Sequence, residues 1–123
     1  MKQAMIVGVG GFTGAILRFK LSGFVFHHTA NWKFPLSTVL VNISGCLVAG
    51  LLAGLVEKHD FFTADARLFL FIGLLGGFTT FSAFGMETVY LVQRHEFPSA
   101  ALNVGASVCF GILALWLGLK AAS

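Results

Sequence analysis

The stretch LFLFIGLLGGFTTFSAFGMETVYLV, residues 68–92, decides the fold. It is far too long for an ordinary strand, which runs about 5–6 residues. An α-helix of ~20 residues rises ~30 Å, the thickness of a bilayer's hydrocarbon core. The run therefore reads as a transmembrane helix over about 67–92. Its centre, GGFTTFSAF at residues 76–84, is unusual for such a helix. Gly76 and Gly77 weaken helical continuity. Thr79, Thr80 and Ser82 are costly to expose to lipid, and Phe78, Phe81 and Phe84 crowd among them.

Three further apolar segments lie outside this stretch, at about 4–26, 36–56 and 98–119. Hydrophobic residues make up 57% of the chain and charged residues 11%, with mean hydropathy +0.88. Soluble domains carry about 25% charged residues, so a soluble globular domain is excluded. The 123 residues suffice for one domain. The expected architecture is an all-α membrane protein, a single four-helix transmembrane domain over 1–123. Lys2 precedes the first apolar run as in a secretory signal, but no small-x-small cleavage site closes it. Arg18 and Lys20 lie at its far end, so it reads as a retained span. The connections HHTANWKFP, EKHDFFTAD and QRHEFP are short, and Pro35 and Pro98 stand where helices start. Cys46 and Cys109 read as small buried apolar side chains, and the four histidines as interfacial polar residues without metal-ligand spacing. A net charge of +3 spread around four spans suits lipid head groups rather than nucleic acid.

Four spans place Lys2, Lys58, Arg67 and Lys120 on one side, and Arg18, Lys20, Lys33 and Arg94 on the other. Lys/Arg bias orients membrane proteins, and here it is zero. The expectation is insertion in both orientations, which permits an antiparallel homodimer. Gly10/Gly14, Gly50/Gly54 and Gly73/Gly77 each put small residues one turn apart, fit for close helix contact. Packing within the chain and packing between two copies explain these pairs equally well.

Polar groups at membrane depth are candidates for function. Arg18 suits either snorkelling or an anion-gathering vestibule. The Asn42 amide can donate to an anion or bond a neighbouring helix. Asn103 and Ser107 share a face of the fourth span. Glu87 can relay protons or bond a nearby hydroxyl. At ~100° per residue, Thr80, Phe84 and Glu87 fall on one face with Phe81 beside Phe84, and Ser82 and Gly85 lie nearly opposite. A helix break at Gly76–Gly77 would free carbonyls, which suit a hard cation such as Na⁺. A phenylalanine edge is electropositive and can attract a small anion without trapping it.

Three stretches together resemble the small fluoride channels, the Fluc or CrcB family. They are GGFTGAILRF (10–19), FPLSTVLVNISGCLVAG (34–50) and GGFTTFSAFGMET (76–88). The resemblance covers most of the chain. It implies a dual-topology homodimer in the cell membrane, with two pathways that export F⁻ passively. It also implies a structural Na⁺ at the dimer centre, held by the carbonyls of Gly76 and Thr79 of each subunit. Phe81 and Phe84 match the family's fluoride-contacting rings, Asn42 its pore asparagine and Arg18 its vestibule arginine. Thr80, Ser82 and Glu87 belong to the polar surroundings, while Asn103 and Ser107, also candidates for the pathway, are not matched to particular family positions. Ala83 and Gly85 replace a threonine and a serine common in the family. The competing reading is a small dual-topology, proton-coupled multidrug transporter. That chemistry needs a carboxylate in the first span, where this chain has none. An enzyme is not expected: GVGGFTG (8–14) superficially resembles a dinucleotide turn but lies inside a span.

Overall fold

The computed structural model describes residues 1–32, 34–60 and 62–123. Lys33, counted above among the charges, lies outside them. The order is α1 (Lys2–Thr29), α2 (Leu36–His59), α3 (Ala64–Arg67), a π-helical segment (Leu68–Leu75), α4 (Gly76–Phe78), α5 (Phe81–Gln93) and α6 (Phe97–Ala122). Among the described residues, every regular element is a helix and there is no strand. Four stretches are long and apolar enough to cross a membrane: Lys2–Thr29, Leu36–His59, Ala64–Gln93 and Phe97–Ala122. These reach beyond the apolar runs because polar interfacial residues continue each helix. Pro35 caps α2 and Pro98 sits in the first turn of α6. Asp60 ends α2 in the left-handed conformation, its N–H on the Val56 carbonyl at 2.9 Å. The Thr63 hydroxyl caps α3 by accepting from the Ala66 N–H.

The helices pack in an interleaved pattern. α1 lies along the π-helical segment and α4, while α2 lies along α6. Lipid tails are as apolar as leucine, so no hydrophobic drive brings spans together; close backbone packing does. Gly10, Gly14, Gly73 and Gly77 form the first seam. A Cβ on Gly10 would sit 2.6 Å from the Phe69 carbonyl oxygen, and one on Gly77 would lie 3.0 Å from the Gly11 Cα. Gly50, Gly54 and Gly118 form the second, where a Cβ on Gly118 would meet the Leu47 carbonyl at 2.6 Å. The glycine pairs that could have served two copies thus pack within one chain.

The core is small: Val39, Val41, Leu75, Leu91 and Ala100 are buried, with Thr38 and Asn103 among them. Most other large apolar side chains point outward. Cys109 also faces outward, contrary to the expectation of a buried thiol, and Cys46 is half-buried. Position 109 points away from both seams, where an apolar side chain meets lipid-compatible surroundings equally well.

Gly76 and Gly77 are helical, contrary to the expectation that the chain would depart from helix at the glycines. Gly76 has φ −62° and ψ −37°. The missing side chain of Gly77 serves the close approach of α1, whereas a Cβ on Gly76 would meet only the Phe71 carbonyl, at 3.9 Å. The non-helical residues come one position later, after Phe78: Thr79 (φ −86°, ψ 155°) and Thr80 (φ −148°, ψ 124°) are extended.

Candidate functional site

The two extended threonines leave backbone groups that a helix would have paired. Their surroundings supply replacements. Asn42, from α2, donates its Nδ2 to the Thr80 carbonyl and accepts the Thr80 N–H on its Oδ1, both at 2.9 Å. The amide therefore acts as a peptide group would, clamping both sides of one residue. Arg18, from α1, donates its Nε to the Gly77 carbonyl at 3.1 Å. In an unbroken helix that carbonyl would take the Phe81 N–H. The Thr79 hydroxyl returns to the Leu75 carbonyl at 2.8 Å, and the Thr80 hydroxyl caps α5 by accepting from the Ala83 N–H at 3.3 Å.

Two of the carbonyls that lose their helical partners here, those of Gly76 and Thr79, receive no replacement donor from Arg18 or Asn42. Gly76 would have received the Thr80 N–H, now on Asn42. Thr79 would have received the Ala83 N–H, now on the Thr80 hydroxyl, and its ψ of 155° turns its carbonyl off the helical direction. These neutral oxygens have the chemistry that hard monovalent cations accept. An open cleft of about 330 Å³ lies alongside, lined by Asn42, Gly45, Cys46, Leu75, Thr79, Thr80 and Phe81.

Thr80 precedes α5 rather than belonging to it, which corrects the face assignment. A helical wheel drawn through Thr80 puts Ser82 on the far side, yet the two hydroxyls lie 3.4 Å apart. Extended dihedrals at Thr80 swing its side chain back over the first turn of α5. Phe81 is 81% exposed on the surface of the single chain. Its ring centroid is 5.6 Å from that of Phe84, with the rings tilted by 49°. Hydroxyls and rings therefore share the entry to α5.

Further along α5, Glu87 accepts a hydrogen bond from the buried Thr38 hydroxyl at 2.6 Å. Its Oε2 is buried and, among the described residues, has no hydrogen-bond partner, as have the Asn103 Oδ1 and Ser107 Oγ. Asn103 donates its Nδ2 to the Thr88 hydroxyl at 2.9 Å. Two groups, then, gather the candidate residues. Arg18, Asn42, Gly76, Thr79, Thr80, Ser82, Phe81 and Phe84 surround the extended pair. Glu87 and Asn103 join Thr38 and Thr88 one to two turns away, with Ser107 a turn further along α6.

A family model described as "CrcB-like protein, Camphor Resistance (CrcB)" matches residues 5–119. The chain belongs to the CrcB family. It is 48% identical over 120 residues to a "Fluoride-specific ion channel FluC" of Methylobacillus flagellatus, covering 98% of this chain and 94% of that protein. It is 42% identical over 118 residues to "Fluoride-specific ion channel FluC 1" of Methanosarcina acetivorans, covering 96% and 88%. A protein of Flavobacterium psychrophilum with the first of these names is 39% identical over 119 residues, covering 97% and 95%. With four apolar helices, this CrcB chain is a multi-pass integral membrane protein and not an enzyme.

Thr38 and Thr88 were missed as site residues in the sequence. Thr88 lies fifteen positions before Asn103, its α6 partner, and Thr38 bonds Glu87 across forty-nine. Neither spacing leaves a periodic signal. A weak one existed: buried hydroxyls in membrane spans need partners, and Glu87 and Asn103 supply them.

Proposed function

We propose that the protein is a fluoride-selective channel that passively exports F⁻ across the cell membrane and so limits fluoride toxicity. The Phe81–Phe84 ring pair beside the Thr80 and Ser82 hydroxyls carries this reading. It is supported by kinship with the three proteins named fluoride-specific ion channel FluC or FluC 1. Stripping water from F⁻ is expensive, so a pathway must offer several weak donors together. Hydroxyls and electropositive ring edges do this without a fixed cation that would hold the ion. The Asn42 amide, committed to Thr80, contributes through its second Nδ2 hydrogen and by keeping the Thr80 side chain in place. Arg18, Glu87, Asn103 and Ser107 lie on or near the route.

The working unit is an antiparallel homodimer of oppositely inserted chains, a reading supported by the balanced Lys/Arg count. The carbonyls of Gly76 and Thr79, freed by the extended pair, would hold a structural Na⁺ with their counterparts from the second copy. Bound there, Na⁺ offsets the negative ends of the converging carbonyl dipoles. The drug-transporter reading has no first-span carboxylate to rest on, and Glu87 is engaged by Thr38.

Purified protein in liposomes loaded with fluoride should release F⁻ and retain Cl⁻. Phe81→Ile and Phe84→Ile should each slow release by roughly tenfold while the dimer persists. Undiminished efflux in both would remove the rings from the pathway. The same assay after exchange of Na⁺ for N-methylglucamine should show a loss of activity; indifference to the exchange would remove the ion.

A further inference from the structure

Thr88 occupies a junction that the pathway reading leaves unused. Its hydroxyl donates to the Phe84 carbonyl one turn earlier, at 2.8 Å. It also accepts from the Asn103 Nδ2 at 2.9 Å. A threonine hydroxyl has one hydrogen. With that hydrogen committed to Phe84, Thr88 can only accept from Asn103, which fixes the amide with nitrogen toward α5. Asn103 is fully buried, at 0% exposure, so its geometry is set by the protein interior. The Phe84 carbonyl receives the Thr88 hydroxyl in addition to the N–H of the helical ladder. Such back-bonding bends a helix locally. A continuous chain of two hydrogen bonds thus runs from the second turn of α6 to the turn of α5 that bears the Phe84 ring.

We propose that Thr88 and Asn103 are positioning residues for Phe84: together they fix the rotation of α5 so that the ring edge faces the ion route. Asn103 then acts through Thr88 rather than by touching the ion. The claim that this affects transport rests on the channel reading above; the claim that it sets the ring does not. In lipid, polar contacts of this kind fix helix orientation because apolar faces do not discriminate between protein and solvent.

Thr88→Val keeps the side-chain shape without the hydroxyl, Thr88→Ser keeps the hydroxyl, and Asn103→Leu removes the donor. Fluoride efflux should slow by about three- to tenfold in Thr88→Val and in Asn103→Leu. The double variant should be no slower than the worse single one, because both break the same chain. Thr88→Ser should stay within about twofold of the parent. Additive losses, or a Thr88→Val protein that conducts as the parent does, would overturn the proposal. A second readout does not depend on conduction. With 4-fluorophenylalanine incorporated at Phe84, the ¹⁹F resonance should move in Thr88→Val and Asn103→Leu and hold in Thr88→Ser. An unmoved resonance in the first two overturns the positioning role even if efflux falls. Resonances that move in Thr88→Val and Asn103→Leu, in a protein whose parent releases no F⁻, leave the positioning role standing and defeat the channel reading alone. Should Asn103→Leu fail to fold, Asn103→Ala, which removes the donor with less bulk than leucine, takes its place with the same expectations.

Discussion

Asn42 replaces a stretch of helix with a side chain. Its amide returns to Thr80 both hydrogen bonds that an extended residue in a membrane would otherwise lack. Asn42→Leu removes both at once and leaves a donor and an acceptor at membrane depth. The expected cost is about 1–3 kcal/mol, read as a lower melting temperature of the detergent-solubilised protein. Ser44→Ala should melt like the parent, since the Ser44 hydroxyl bonds only the Val41 carbonyl of its own helix. A parent-like melt for Asn42→Leu would mean that the clamp contributes nothing. Arg18 shows the same logic with a charge: its Nε meets the Gly77 carbonyl, an acceptor that the extended pair leaves open. Both residues stood out in the sequence as polar groups inside apolar runs. Their partners did not, because a backbone carbonyl has no residue letter and becomes available only where the dihedrals change.

At the scale of elements, glycine has two different meanings here. On the seams it permits contact. A Cβ at Gly14 would drive into the Leu74 carbonyl and lie 2.9 Å from the Phe78 N, whereas one at Gly23 would meet nothing within 4 Å. Gly14→Ala should therefore destabilise the protein by about 1–3 kcal/mol, the usual range for overpacking. Gly23→Ala should be neutral or stabilising by up to about 1 kcal/mol, since alanine favours helix. Thermal melts of the two variants check this contrast, and equal destabilisation would sink it. The number and order of the spans were legible from apolar length alone, because lipid demands ~20 residues per helix. The seams were legible only as small-residue spacing, which does not say which helix lies opposite. The placement of the extended pair was not legible. Gly76 and Gly77 looked like the weak point, but contact with α1 holds them helical, and the departure falls on two β-branched residues of good strand propensity. The eight-residue π-helical segment gave no sequence sign either: Leu68–Leu75 reads as ordinary apolar helix, and π geometry is rare enough that no pattern announces it.

For the molecule as a whole, the balance of Lys and Arg makes orientation easy to move. Two of the basic residues are paired at one membrane face, Lys2 with Asp65 at 3.0 Å and Arg67 with Asp60, but acids count little in setting orientation. Ala121→Lys with Ala122→Lys adds charge to one side and should bias insertion, as reported by C-terminal fusions active on opposite faces of the membrane. If transport needs two oppositely inserted copies, that variant alone should lose most fluoride efflux. Co-expression with a variant biased the other way, such as Asn31→Lys with Thr29→Lys, should restore it. Full activity from a chain shown to insert in one orientation would exclude the antiparallel dimer. The glycine seams carry a consequence for how the chain is made. The first span's main partner is the third, and the second span's is the fourth, so a ribosome that has delivered only the first two has delivered neither completed pair. Each helix must wait in the bilayer, hydrogen-bonded within itself, until its mate emerges. Biogenesis is therefore divided into insertion first and packing afterwards, and the fourth span, made after the other three, closes the second pair.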